Sequence, residues 1–271
     1  MIRTRLAVII FCLLLPFQTF AQESSAVKDK NDIDRILELI PIKQTLNELP
    51  QELKNQFSQN PFGITTSKNE QLIKLFDKAY DTDSLSNSAH QSFEENFDHT
   101  YSDSVLSMLK SDTIKPILKS EANFHTIQGT RKQIVTKYEL EQDEPSQKRI
   151  SIIKDLIERR SARESGIESQ TILFRSLVIG TDTISSRLSL SEAQVTGIVN
   201  NFNNRLQMQL EDELTNNYLV MYHELSDRRL KKYVDFYTTE AGTELKESLN
   251  KAIHTAFQEA SNRFISSIES L

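Results

Sequence analysis

The chain has one cysteine, no tryptophan, six glycines and six prolines among its 271 residues. The cysteine, Cys12, lies inside an apolar leader, so the rest of the chain has no disulfide framework, thiol nucleophile or thiolate metal site. The glycines, at 63, 129, 166, 180, 197 and 242, are too scattered for a phosphate-cradling loop or a Gly-x-Ser-x-Gly elbow. This excludes nucleotide enzymes and serine hydrolases of the usual motifs. The five histidines form neither His-x-x-x-His nor His-Glu-x-x-His. The nearest metal-like spacing is His223 with Asp227, and the helix cap expected at Ser226 interrupts the turn between them. No metal and no cofactor are expected. Basic residues are outnumbered 32 to 38, a formal charge of −6, which argues against a nucleic-acid partner.

The apolar residues that are present fall into two patterns. The first is at the start of the chain, where Met1 to Ala21 reads as a signal peptide. Arg3 and Arg5 form its basic region, Leu6 to Leu15 its apolar run, and Thr19-Phe20-Ala21 its cleavage site. The run is about half the ~20 residues a spanning helix needs, so no transmembrane span is expected after cleavage. Phe11 before Cys12 is too bulky for a lipoprotein site. Removing residues 1–21 takes two arginines with it, leaving 30 basic and 38 acidic side chains on the mature chain.

The second pattern is a recurrent stripe of 3.6-residue period, with little alternation of period two, and it predicts an all-α helical bundle. Residues 22–31 are polar and expected to be disordered. Ile33, Ile36, Leu37 and Ile40 begin a helix that Pro41 is expected to kink, with Leu46, Leu49, Leu53 and Phe57 continuing it. Ser67 to Glu70 reads as a capping box, Asp81 to Ser88 as a loop, and Ser102 as a cap stapled by Tyr101 and Leu106. Ile150–Ala162 and Ile167–Ile179 are read as helices, the second ending near Gly180. Ser191 with Gln194 forms another capping box, opening a long helix through Tyr218 and Met221. A last helix carries Leu245, Ala252, Ala256, Phe257, Ala260 and Phe264 on one face, its small residues suited to close packing.

The spacing also suggests an internal duplication. Ile33-x-x-Ile36-x-x-Leu39-Ile40 echoes Ile150-x-x-Ile153-x-x-Leu156-Ile157 at an offset of 117, and the Ser-Asp caps echo at 124. The acidic, proline-containing stretch 139–147 would then join two similar bundles, 32–138 and 148–271.

The stretch from Leu225 to Leu249 organises the C-terminal half. Ser226 is a suitable N-cap, with Asp227 in the first turn and Leu225 and Leu230 placed as a hydrophobic staple. Leu230, Tyr233, Val234 and Tyr237 make one stripe, with Phe236 at its edge. Thr239 then caps a second helix whose first turn holds Gly242. This pattern, Leu225-Ser226-Asp227, Phe236-Tyr237 and Thr239-Glu240-Ala241-Gly242, resembles the corner of the bacterial domain of unknown function 2059 family. Glu240 stands where the family pattern has proline, and Arg229 stands where a Glu would complete a capping box. The resemblance covers roughly 147–264 and implies an all-helical exported domain, periplasmic or secreted, with no catalytic residues to carry over.

Two features of this corner are candidate binding surfaces. Arg228, Arg229, Lys231 and Lys232 crowd a helix start, where an anion or a lipid headgroup could sit, or where they simply form a solvated face. Tyr233, Phe236 and Tyr237, with Tyr218 and Tyr222, make a groove for a partner helix or apolar ligand, or a plain helix-corner core. Glu211, Asp212 and Glu213 are adjacent along a helix and diverge, so they are not read as an acid–base pair. The expected function is that of an exported, non-enzymatic module that acts through protein contact. A holdase-like or apolar-ligand carrier is the second reading, and an unrecognised hydrolase the third. A carrier requires an enclosed apolar pocket, an enzyme convergent polar groups with shifted pKa values, and an interaction module an exposed apolar patch.

Overall fold

The computed structural model describes residues 31–124, 126–185 and 189–270. The signal-peptide assignment, most of the polar segment 22–31 and His125 lie outside the described residues. In chain order the helices are α1 (Asp32–Leu39), α2 (Ile42–Ser58), α3 (Thr66–Ala79), α4 (Thr82–Asn96), α5 (Ser102–Leu109), α6 (Lys115–Phe124), α7 (Ile127–Gln142), α8 (Gln147–Arg159), α9 (Ala162–Ile184), α10 (Glu192–Met221), α11 (Asp227–Phe236) and α12 (Glu240–Glu269). Among the described residues there is no strand, and the expected all-α bundle is what forms.

Short polar side chains set half of the twelve helix starts. Asn31, Asp81, Thr126, Ser146, Ser191 and Thr239 each accept a hydrogen bond from the N–H three residues on, satisfying a donor that the first turn leaves free. At Ser191 the box closes in both directions, since Gln194 Oε1 accepts in turn from the Ser191 N–H. Thr239 works as expected, and Gly242 donates to it at 3.1 Å.

Several expected boundaries are corrected. Pro41 breaks the first helix outright and stands at the start of α2. The capping box at Ser67 does not form, because α3 opens earlier, after Thr65. The loop expected at 81–88 is the first half of α4. There Asp81 caps the helix through the Ser84 N–H, and Leu85, Ala89 and Phe93 supply a buried stripe that the polar composition hides. Ser102 is not a cap. A 3-10 turn, His99–Tyr101, precedes it with Asp98 accepting from the Thr100 N–H, and the Ser102 hydroxyl is buried without a partner among the described residues. Ser226 stands at the N-cap of α11 but makes no side-chain cap bond. The guanidinium of Arg149 holds that corner instead, donating to Tyr222 O at 2.5 Å, Leu225 O at 2.8 Å and Asp227 Oδ1 at 2.9 Å. Finally, α9 does not stop at Gly180 but runs through it to Ile184.

The reason for Gly180 is packing. A Cβ there would lie 2.7 Å from both Phe264 and Ile268 of α12, so α9 and α12 meet at a distance only glycine permits. The small residues of α12, Ala252, Ala256 and Ala260, are fully buried along the same helix. Helix α12 therefore lies in the middle, packed mainly on α4 and α9 and also on α3 and α5. Tyr80, at the end of α3, ties the three together: its hydroxyl bonds Ser176 of α9 at 2.9 Å and Ser261 of α12 at 2.6 Å.

The expected division into two bundles is not seen in the contacts. Asn31–Leu271 is one compact unit, and one cluster of buried side chains runs from Ile33 through Leu156 to Ile268. The stretch 139–147 holds the end of α7, a short connection and the start of α8. An echo between the halves does survive at one point the sequence reading did not use. Thr126 caps α7 through Gly129, as Thr239 caps α12 through Gly242, and a Cβ at either glycine would strike the carbonyl oxygen of the preceding helix end, Asn123 at 2.0 Å or Phe236 at 2.1 Å.

Candidate functional site

The corner formed by α10, α11 and α12 brings the expected aromatic residues together, but inward. Tyr233, Phe236 and Tyr237 are buried, as is Tyr222, and Tyr218 packs edge-on against Tyr222 at 5.4 Å. Tyr233 and Tyr237 lie one turn apart with ring centroids 5.2 Å apart. The rings are core of the corner, not the walls of a groove. The basic residues of the same helix face away: Arg228 and Lys232 are exposed and Arg229 is half-buried. The candidate surface thus separates into a solvated cationic face and a buried aromatic one, as the 3.6-residue period of α11 requires.

Under the rings lies a carboxylate that sequence reasoning missed. Glu121 of α6 has a side chain only 6% exposed. One of its oxygens accepts from Arg160 at 2.8 Å, from the Tyr222 hydroxyl at 2.5 Å and from the Tyr233 hydroxyl at 3.4 Å. Tyr237 donates to Tyr233 at 3.3 Å, and the guanidinium of Arg160, at the end of α8, stands 5.8 and 5.7 Å from the Tyr233 and Tyr237 ring centres. Burial, reinforced by the Glu121 charge, pushes the phenols of Tyr222 and Tyr233 well above their usual value, and burial likewise raises Tyr218 and Tyr237. Burial works against the charge of Arg160, but Glu121 and the phenols outweigh it and hold the group well above its ordinary value. These directions keep each phenol protonated and the arginine charged. They fix protonation states rather than bringing a group toward neutrality for proton transfer. No sequence spacing announces this cluster, because its members come from α6, α8, α10 and α11.

A second polar contact has the outline of a nucleophile, a base and an acid. His254 of α12 places Nε2 3.1 Å from Ser165 Oγ and Nδ1 3.1 Å from Glu168 Oε2, both on α9. Two features weigh against acyl transfer there. The same Nε2 lies 3.2 Å from the carbonyl oxygen of Ser165, which competes for it. The Ser165 N–H is spent on Ser161 O inside α9, so the residue's own amide is not free to serve an oxyanion.

Two hollows border the corner. One, about 360 Å³, opens beside Lys232, Asp235 and Phe236 against Met108 and Thr113; the other, about 690 Å³, lies between α7 and α10, lined by Lys137, Leu140, Glu213 and Val220 among others. Both are open to solvent. Neither is the enclosed apolar cavity that a carrier requires.

The feature with most consequence is helix α7, which the sequence reading passed over. Its one fully buried residue is a threonine, Thr136, while Ile127, Ile134, Val135 and Tyr138 are 77%, 68%, 56% and 65% exposed. Taking 100° per residue, Ile127, Ile134 and Tyr138 fall within about 20° of the direction opposite Thr136, so they form one outward stripe. The spacing 127, 134, 135, 138 would have shown the stripe; only the structure shows which side of the helix faces the core. The helix is held to the body by Leu140 and by Lys132, which pairs with Glu224 at 2.5 Å. Compared with family models, with curated proteins and with solved structures, the chain matches none. No helix among the described residues is long and apolar enough to cross a membrane.

Proposed function

We propose that this is an exported, non-catalytic helical protein that works by binding another protein through the outer face of α7. The observation that carries the reading is the outward row of Ile127, Ile134 and Tyr138 on one side of one helix, with Val135 on its flank, each more than half exposed. Large apolar side chains gathered on a soluble surface mark a contact site, because leaving them in water costs about 25 cal/mol for every Å². The Met1–Ala21 leader supports export to the periplasm or beyond, and the resemblance of the Leu225–Gly242 corner to the domain of unknown function 2059 family supports the same setting. The basic residues Arg228, Arg229 and Lys232 then act as a solvated face.

The test is capture from the envelope fraction of the producing cell, with Ile134→Glu and Tyr138→Glu beside the unchanged chain. A protein retained by the unchanged chain and lost with both variants supports the reading. Retention by both variants, or a bound lipid with no protein, sinks it.

The hydrolase reading has one observation in its favour, the Ser165–His254–Glu168 contact. A fluorophosphonate probe decides it. Labelling abolished by Ser165→Ala would make this an enzyme; absence of labelling at Ser165 would remove the reading.

A further inference from the structure

We infer that α7 is a strap that melts and re-forms on its own while the rest of the chain stays folded, and that its melting opens the face of α10 beneath it. The inference needs no partner on the outer stripe. It stands on the difference between what holds α7 and what holds the helices on either side of it in the chain. Of the 16 residues of α7 only Thr136 is fully buried, and its large apolar side chains are exposed except Leu140, which packs half-buried against the core. The next helix, α8, buries Ile152, Ile153, Leu156 and Ile157 within 13 residues. Nor does the second half of α7 seal against the body. Lys137, Leu140 and Glu141 line the open hollow of about 690 Å³, with Asn216, Asn217 and Val220 of α10 on its other wall.

The remaining ties lie at the surface or at one end. Lys132 and Glu224 pair with side chains 52% and 69% exposed, and Glu139 stands 4.0 Å from His223, also in water. Exposed pairs of this kind add little. The inward bonds gather at the start, where Thr126 caps through Gly129 and Gln133 donates to Phe124 O at 2.6 Å. A lone helix of this length, with Gly129, Thr130, Val135 and Thr136 in it, is marginal in water, so α7 unfolds when it leaves the body instead of swinging out as a rod. Its neighbours stay in place. Helix α6 is fixed by Glu121, bonded to Arg160 and Tyr222, and by the Ser120 hydroxyl, which donates to Met221 O at 2.5 Å. Helix α8 is fixed by Arg149 through Tyr222, Leu225 and Asp227. The opening is therefore bounded by Phe124 and Ser146, and it widens the hollow into a groove floored by Leu219 and Val220, both buried while α7 is docked.

The experiment is native-state hydrogen exchange, read by mass spectrometry on the chain as recovered after export, over a series of low urea concentrations. Amides of α7 should exchange at least about a hundredfold faster than those of α12, while α6 and α8 keep the protection of the body. Glu224→Ala removes one tie from outside the strap and leaves the sequence of α7 unchanged. It should speed α7 exchange about threefold, with α12 and the urea midpoint unmoved. Brief trypsin treatment gives a second reading. Within residues 31–270 the first cuts should fall at Arg131, Lys132 or Lys137, and the nicked chain should still elute as one body on gel filtration, because the helices on both sides of the cut remain clamped. Protection of α7 equal to that of α12, exchange of α7 that follows the urea dependence of global unfolding, or α6 and α8 opening together with it would each overturn the inference. So would first cuts elsewhere in that range, fragments that part on gel filtration, or a Glu224→Ala chain in which α12 speeds up as much as α7.

Discussion

Replacing Glu121 should be the most damaging single change in the corner, and its size follows from the geometry. The carboxylate is 6% exposed and serves two close donors, Arg160 at 2.8 Å and Tyr222 at 2.5 Å, with Tyr233 at the longer 3.4 Å. A hydrogen bond to a charged group contributes about 1.5–3 kcal/mol, and removing one partner of a buried ion pair typically costs about 3–5 kcal/mol. Glu121→Leu removes the acceptor and strands the Tyr222 hydroxyl and the guanidinium, so a loss of about 4 kcal/mol is expected. Glu121→Gln keeps an oxygen for Tyr222 but not the charge, and should lose about 2 kcal/mol. Arg160 is one quarter exposed and can turn toward water, so the full buried-pair penalty is an upper limit. The triple change Glu121→Leu, Tyr222→Phe, Arg160→Met removes all the main polar partners together. It should stand within about 1–2 kcal/mol of the unchanged protein, because only the Tyr233 hydroxyl, still paired with Tyr237, loses an acceptor. Urea unfolding followed by circular dichroism, with equal slopes for all variants, measures each step. If Glu121→Leu loses less than about 1 kcal/mol, or the triple variant is no better than the single, the cluster is not the clamp its geometry describes.

Three further outcomes are expected. Gly180→Ala forces a methyl to 2.7 Å from Phe264 and Ile268 and should cost about 1–3 kcal/mol, whereas Gly197→Ala, mid-helix in α10 with nothing within 4 Å, should gain about 0.5–1 kcal/mol; thermal midpoints moving in the same direction would refute the close-packing account. Tyr80, pushed up to about 12 chiefly by burial, and Tyr218, Tyr222, Tyr233 and Tyr237 all have folded values above their unfolded ones. Their contribution is therefore whole below pH about 10 and lost as pH rises through the folded values, so tyrosinate absorbance at 295 nm should appear together with loss of helix. Glu48 of α2 is pushed up to about 7 by burial, with Glu52 adding to the shift and a Gln44 hydrogen bond opposing it. Its contribution is present below pH about 4.5 and lost as pH rises to about 7, so Glu48→Gln should be more stable than the unchanged chain at pH 8. After discount for solvent screening the gain is about 1 kcal/mol, and urea midpoints at pH 5 and pH 8 should show it shrinking at the lower pH.

Periodicity and short polar caps made much of this fold legible. Ser191, with Gln194 three residues on, announced α10, and Thr239 with Gly242 announced the corner before α12. What failed did so for physical reasons. The run 81–88 looked like a loop because serine, asparagine and aspartate dominate it, yet Leu85, Ala89 and the Asp81 cap decide its state. Gly180 looked like a terminator because a glycine at a helix end and one at a helix contact are identical in sequence. Ser226 stands where a cap belongs but makes no cap bond, and the corner is tied instead by Arg149, nearly eighty positions away, which donates to the carbonyls of Tyr222 and Leu225 and to the Asp227 carboxylate. The aromatic corner was found, though not the side of it that faces water. Glu121 and Arg160 were invisible, since four helices must meet before they do. The stripe on α7 was readable as a stripe; that it points away from the body depends on a threonine, Thr136, being the residue that goes inside.

The central place of α12 has a kinetic consequence. Its neighbours α3 and α4 come from the first third of the chain, and α9 from the middle. The core therefore closes only when segments some 150–180 positions apart have met, which is slow for an all-helical chain, where neighbours in sequence usually pack first. Until α12 docks, Phe76, which packs edge-on against Phe264, and the faces of α4 and α9 that meet α12 are left without their cover. A chain in that state is a sticky intermediate, and its lifetime, more than the final stability, should govern how much of it aggregates on dilution from denaturant.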